Sequence, residues 1–288
     1  SSHLGISYAV FCLKKKKEIV PPKIDKAIQE LKRKASGAIN WSGNYKTWDE
    51  VQKNCTGYDA EIILEKVKAS LLKVKDGEAI YERDSVLFDK IEYSPSLLIG
   101  LQQAAIENNG NLCVLDFGGS LGSSYFQNIE FLKAMRNFKW CIVEQPHFVS
   151  CGKAYFEDEY LKFFYTIEEC LATYSPQVLL LSSVLQYLEK PYEWLEKFLS
   201  LEIPFIILDR TAFIETKNDL LSLQQVSDKI YQASYPAWFF NFENIIRTIS
   251  PKYKLIFEFK DVFTAELTVS GKTCFWKGLI LKKINNVT

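Results

Sequence analysis

Asp116-Phe-Gly-Gly-Ser-Leu-Gly122 is the segment whose residue types and spacing could do chemistry. An apolar run, Leu112 to Leu115, leads into it, and a helix-like stretch, Tyr125 to Met135, follows. Glycine takes positive φ without strain and lets a ligand approach the backbone. A helix starting here adds uncommitted N–H groups and a positive dipole end. Strand, turn and helix start therefore suit a polar or anionic ligand at the C-terminal edge of a parallel sheet.

Several chemistries compete for that turn. A dinucleotide fingerprint needs G-x-G-x-x-G, and aligning it on Gly119 and Gly122 puts Phe117 at the first glycine. A serine hydrolase fits better on its face, because Gly118-Gly-Ser120-Leu-Gly122 satisfies G-x-S-x-G between strand and helix. Its histidine, however, must follow the acid along the chain, and the only one downstream is His147, 27 residues on. A kinase echo, Glu82-Arg-Asp84 with Asp116-Phe-Gly118, lacks a preceding lysine strand and phosphate loop.

The remaining reactive residues exclude more than they offer. The histidines are His3 and His147, so zinc sites built on paired histidines are out. Seven cysteines contain no CxxC pair, which reads as a reducing, cytoplasmic setting rather than a disulfide framework. Lys+Arg and Asp+Glu are both 35, so no nucleic-acid footprint is expected. No stretch reaches the roughly 20 apolar residues of a membrane span. Apolar Ile6 to Leu13 precedes Lys14 to Lys17, the reverse of a secretory signal. That run reads as a solvated face, with peripheral contact to anionic lipid as a minor alternative.

The elements that must position the glycine turn can be read from the pattern. Residues 1 to about 93 read as mostly helical, with helices near 24–34, after Thr47 and after Asp59, and a Gly-, Asn- and Trp-rich stretch at 36–45. Thr47 with Glu50, and Thr166 with Glu169, have capping-box spacing. From Pro95 the chain alternates: strands at 112–117, 139–144, 161–165, 177–182 and 204–209, joined by helices. Alternation of this kind gives an α/β, Rossmann-like doubly wound sheet with right-handed crossovers. Strands at 253–260 and 273–282, with a short one at 263–269, have no helix between them, which predicts an antiparallel C-terminal edge. The expected domains are a helical N-terminal lid, 1–93, and a Rossmann-like domain, 94–288.

Val114-Leu-Asp-Phe-Gly-Gly-Ser-Leu-Gly122 resembles motif I, D-x-G-x-G-x-G, of class I methyltransferases that use S-adenosylmethionine (SAM); Ser120 stands at the middle glycine. Trp140-Cys-Ile-Val-Glu-Gln145 resembles the acidic strand-two end, and Val178 to Leu188 the motif after strand four. Phe275 to Lys283 resembles the superfamily's antiparallel last strand. More closely, the chain is similar to a little-characterised bacterial family assigned to the methyltransferases. That likeness rests on Trp41-Ser-Gly-Asn-Tyr-Lys-Thr-Trp48, Gly57-Tyr-Asp59, Tyr81-Glu-Arg-Asp-Ser85, the glycine turn and Val143-Glu-Gln-Pro146.

The resemblance implies SAM as cofactor. Asp116, Gly118, Gly119, Ser120 and Gly122 would hold its amino-acid end and the turn. Glu144, beside Gln145, would take the ribose diol, and Thr166 to Glu168 would lie near the adenine. Ser182 and Ser183 would flank the donor pocket, with Gln186 and Tyr187 positioning the acceptor. Arg83, in a lid, would pair with a carboxylate. Asp209 or His147 could act as base, and Pro236 to Phe240 could wall the acceptor. Each also has a plain structural reading as a cap, turn, surface ion pair or packing residue. The expected acceptor is a small molecule or glycan, with oxygen as one option for the methylated atom. The alternatives are a non-catalytic partner of the same fold in a biosynthetic complex, and the Ser120 hydrolase.

Overall fold

The computed structural model describes residues 39–55, 60–83, 85–91, 93–226, 233–261 and 266–285. The expected helix at 24–34, the lysine run, the cap at Asp59, Asp84 and the start of the 263–269 strand lie outside them.

The chain opens with β1 (Ile39–Tyr45), α1 (Trp48–Gln52), α2 (Ala60–Lys75), the hairpin β2 (Tyr81–Arg83) and β3 (Val86–Phe88), and α3 (Pro95–Glu107). Alternation follows: β4 (Asn111–Phe117), α4 (Ser123–Leu132), β5 (Arg136–Val143), α5 (Pro146–Tyr155), β6 (Leu161–Phe164), α6 (Ile167–Thr173) and β7 (Val178–Ser182). A 3-10 turn (Leu185–Tyr187), α7 (Pro191–Ser200) and β8 (Phe205–Ile214) complete it. The last part is β9 (Leu220–Val226), β10 (Ala233–Asn241), α8 (Phe242–Ile249), β11 (Tyr253–Lys260), β12 (Leu267–Val269) and β13 (Lys272–Lys283).

Five strands run parallel in the order β6-β5-β4-β7-β8. β13 then pairs antiparallel with β8, and β11 antiparallel with β13. The antiparallel C-terminal strand expected from the sequence is thus present as β13, inserted one place inside the edge that β11 forms. A neighbour decides this, not the turn between them: β13 covers all of β8 from Phe205 to Ile214.

The parallel strands are apolar on both faces because both are covered. Val114 of β4 packs with Leu97 and Leu101 of α3 and Val149 of α5. Its neighbours Cys113 and Leu115 face the opposite way, among Leu195 and Phe198 of α7 and Ile245 of α8. Fully burying such a side chain contributes about 1.5–3 kcal/mol. The capping expectations hold: Glu50 N donates to Thr47 Oγ1 at 3.3 Å and Glu169 N to Thr166 Oγ1 at 3.1 Å.

Three expectations need correction. Ile39–Tyr45, read as irregular within a mostly helical segment, is a strand paired antiparallel with β9. Ile39, Trp41 and Tyr45 alternate with polar residues, a period-2 signal that the Gly and Asn content obscured, while the partner that makes it a strand lies some 180 positions on. Asp209 and Arg210, placed after strand five, lie within β8, which runs on to Ile214 because β13 extends beside it. Pro236 to Phe240, given as a candidate acceptor wall with no element assigned to it, belongs to a further strand, β10.

β10, β9 and β1 form an antiparallel ribbon. It meets β8 only where Phe240 and Asn241 lie beside Phe213 and Ile214, past the point where β7 stops at Ser182 beside Asp209. The 3-10 turn fills the wedge between them, bonding to β8 through Gln186 and to the ribbon through Tyr187.

Candidate functional site

β4 is central, and the chain leaves it for β5 and β6 on one side and returns through β7 and β8 on the other. The crevice at the C-terminal ends of β4 and β7 is a topological switch point, where open α/β sheets bind ligands. The glycine turn occupies it. Gly118, Ser120 and Gly122 have φ of 74°, 54° and 105°. All three are left-handed, the conformation that costs an L-residue roughly 1–2 kcal/mol and glycine almost nothing. Ser120 therefore carries strain that the glycine of the motif would avoid.

Gly119 is needed for another reason. A Cβ there would sit 2.5 Å from Asp116 Oδ2, so the turn closes directly over that carboxylate. A Cβ on Gly118 would lie 2.5 Å from Val184 Cγ2, which presses the turn against the segment after β7. Gly122 caps α4 and its N–H donates to the Gly119 carbonyl at 3.0 Å.

Asp116 is 1% exposed. Its Oδ2 accepts from Trp140 Nε1 at 3.0 Å, while Oδ1 has no hydrogen-bond partner. Burial pushes its carboxyl up to about 7, against the Trp140 bond and the Arg210 charge, which favour ionisation. Glu144 follows β5 and accepts from the backbone N–H groups of Gln145 and Ser120, yet burial still raises its carboxyl above the usual range. Gln145 is exposed and opens α5.

Asp209 is 6% exposed. Its Oδ2 accepts from Ser182 Oγ at 2.6 Å, and Arg210 Nε lies 3.6 Å away and 3.3 Å from Ser182 Oγ. Burial raises this carboxyl too, with Arg210 and the Ser182 bond opposing. Asp116, Glu144 and Asp209 thus share one sheet edge with one guanidinium. Burial makes all three carboxyls hold their protons more readily, so a ligand carrying positive charge would be met by drawing out their charged forms, and the unmet Asp116 oxygen favours a donor.

Ser183 has φ of 56° and donates its N–H to the Asp209 carbonyl at 2.9 Å. Gln186 is 1% exposed and donates Nε2 to Ser183 Oγ and the Arg210 carbonyl at 3.0 and 3.2 Å. It braces the edge from within. Tyr187 is half-buried and faces the ribbon instead.

Arg83 lies on β2 with its guanidinium 5.4 Å from the Phe88 ring. The residue that ties this hairpin to the site is its neighbour Glu82, 1% exposed, which accepts from Ser123 Oγ at 2.5 Å and Ser85 N at 2.6 Å. Ser123 begins α4, directly after the turn. His147 lies tilted against Phe148, 4.9 Å between ring centroids, and its buried Nε2 has no hydrogen-bond partner, Ser120 included. A hydrolase dyad is therefore not assembled. Thr166 is committed to its cap. Among the described residues no group of three or more His, Cys, Asp and Glu is arranged to hold a metal ion.

Sequence reasoning missed Trp140, Glu82 and Gln224. Trp140 had a signal: parallel pairing of β4 with β5 sets its indole two positions from Asp116 on the neighbouring strand. Gln224 had none, because its partners come from three other segments.

No family model matches this chain, and no curated protein matches it. Among solved structures it is similar to the N-terminal domain of EvdMO1 in the presence of S-adenosylhomocysteine (SAH) and D-fucose, at 10% identity, covering 79% of this chain and 98% of that one, with a TM-score of 0.45. It is similar to a SAM-dependent methyltransferase from Clostridium acetobutylicum ATCC 824 at 11% identity, over 64% of this chain and 89% of that one, TM-score 0.39. A third is Burkholderia thailandensis 1,6-didemethyltoxoflavin-N1-methyltransferase with bound 1,6-didemethyltoxoflavin and SAH: 11% identity, 80% and 92% covered, TM-score 0.40. At these values nothing of the neighbours' chemistry carries over, and the residues of this chain alone bear on its function.

Proposed function

We propose that this chain is a SAM-dependent methyltransferase acting on a small-molecule or glycan acceptor. The observation that carries it is the turn itself: all three motif glycine positions are left-handed, at a switch point, over a buried carboxylate with an unmet oxygen. SAM fits the donor set. It is a cation at sulfur and at its amino group, and Asp116, Glu144 and Asp209 of this sheet edge would supply carboxyl groups to meet it, beside the Arg210 guanidinium. Its ribose diol needs an acceptor at the end of the strand after the turn, where Glu144 stands. When bound, SAM supplies an activated methyl group.

The protein's part is alignment. The turn backbone and the N-terminus of α4 would hold the amino-acid end, Asp116 would offer Oδ1 as acceptor, and Glu144 would accept from the ribose hydroxyls. Ser182, Ser183 and Gln186 fix the edge where donor and acceptor meet. Holding two reactants in line is worth about 7–11 kcal/mol, which makes a catalytic triad unnecessary. Where the acceptor is a hydroxyl, Asp209 is the proposed base: burial raises its affinity for a proton, and Ser182 shows that a hydroxyl can donate to it.

Calorimetric titration with SAM and SAH tests this. Binding by the wild type, lost in Glu144→Ala, supports the reading. A folded wild type that binds neither ligand overturns it.

A further inference from the structure

The β2–β3 hairpin aims one charge at the start of α4. Tyr81 and Arg83 share a face of it: Tyr81 meets the Phe88 ring at 5.6 Å between centroids, and the Arg83 guanidinium lies 5.4 Å from the same ring. Side chains alternate along a strand, so Glu82 points the other way. It is 1% exposed, and each carboxylate oxygen receives a hydrogen, Oε1 from Ser85 N at 2.6 Å and Oε2 from Ser123 Oγ at 2.5 Å. α2 ties down the hairpin tip, where Ser70 Oγ donates to the Ser85 carbonyl at 3.0 Å.

Ser123 is the first residue of α4 and follows Gly122, which caps the helix without a side-chain hydrogen bond. A hydroxyl has one proton. Glu82 takes it, so anything else that meets Ser123 Oγ must bring a hydrogen of its own. The uncommitted N–H groups and dipole end of a helix N-terminus attract anions. Here a buried carboxylate and an acceptor oxygen stand beside them, and both signs lie within one helical turn.

A second observation comes from the beginning of the glycine turn. Asp116, 1% exposed, has its Oδ1 without a hydrogen-bond partner. A Cβ on Gly119 would lie 3.0 Å from that oxygen, so it sits directly against the turn. Buried polar atoms are nearly always paired. The turn thus starts at an unmet acceptor and ends at a hydroxyl that can only accept, next to the N–H donors of α4. One group suits all of them: an ammonium and a carboxylate on the same carbon.

Resting on the methyltransferase reading, we propose that Ser123 and Glu82 make the turn selective for an α-amino acid end. Ser123 Oγ accepts from the ammonium, the N–H groups of α4 take the carboxylate, and Glu82 is the positioning residue that fixes the Ser123 polarity. A bare helix N-terminus would favour a simple carboxylate. The Glu82 charge opposes that choice and favours the ammonium.

The test is calorimetric titration with four ligands that differ only at this end: SAH, its decarboxylated and deaminated analogues, and methylthioadenosine, which has neither group. Ser123→Ala removes the acceptor. It should weaken SAH and the decarboxylated analogue by about tenfold each, leaving the deaminated analogue and methylthioadenosine within about twofold. Ser123→Thr, which keeps the hydroxyl, should restore the wild-type order. Glu82→Gln should reverse the polarity. The Ser85 N–H only donates, so the new amide turns its oxygen there and its nitrogen to Ser123. The Ser123 proton is then released, and preference should shift from the decarboxylated to the deaminated analogue. If that variant fails to fold, the alanine and threonine pair decides. Equal losses on all four ligands, as a merely structural role gives, or unchanged affinities overturn the proposal and leave the methyltransferase reading in place. A folded wild type that binds none of the four overturns that reading and this proposal with it.

Discussion

Between Asp116 and Gly122 a candidate edge is built from consecutive residues, while Trp41, Tyr187, Gln224 and Tyr235 form a cluster from segments up to 194 positions apart. The first is held by conformation: left-handed φ at three positions and a glycine pressed on a carboxylate. The second is held by packing and by one buried amide. They meet at the end of β7, where Ser183 and Gln186 belong to the first edge and Tyr187 to the second. A local turn tolerates little change in residue type. A ribbon tolerates more, because its energy is spread over two apolar faces. If the turn holds the proposed cofactor, its binding should survive damage to the ribbon.

The largest effect expected separates them on stability. Leu221, 1% exposed, packs with Val51 of α1 on the ribbon face away from Gln224. Leu221→Ala should cost about 2–5 kcal/mol in urea unfolding. SAM affinity measured in the folded fraction should hold, and its collapse would show that the two edges are one unit. Gly119→Ala is the converse. Its methyl would enter the space of Asp116, costing about 1–3 kcal/mol, with loss of calorimetric SAM binding. Normal binding by that variant would detach the turn from the cofactor.

Next comes pH. With its carboxyl pushed up to about 7, Asp116 gains its charge across the neutral range. Affinity for a cationic ligand should rise from pH 6 to 8, and Asp116→Asn should flatten that slope at the weak end, about tenfold down, the equal of about 1.4 kcal/mol. A wild type indifferent to pH would remove Asp116 from the site. The sign for stability is opposite. The folded chain keeps a proton that the unfolded chain releases near pH 4, so this group's contribution is full below that pH and lost as pH rises through about 7.

The smallest effect is at Ser120. Ser120→Gly should relieve a left-handed φ of 54° and raise stability by about 0.5–1 kcal/mol, since glycine's extra unfolded-state freedom offsets part of the relief. SAM binding should persist. Destabilisation would mean that the hydroxyl or Cβ makes contacts worth more than the strain.

The turn, the alternating strands and the caps at Thr47 and Thr166 were legible because each is a relation among residues within a few positions: φ preference, apolar run, capping box. Glu144 was legible for the same reason, one strand on from the turn. The strand β1, the extension of β8 to Ile214 and the place of β13 were not, because strand pairing is a choice of partner and the partners lie far along the chain.

The sequence by itself determined the glycine turn, the sheet's parallel core and the carboxylates at its edge, since backbone conformation and periodicity are local properties. Only the tertiary structure decided that Glu82 rather than its neighbour ties the hairpin to Ser123, that Gln186 is a brace, and that Gln224 commands Trp41, Tyr187 and Tyr235. Hydrogen bonds between distant side chains depend on register, and register is fixed when apolar faces close over one another.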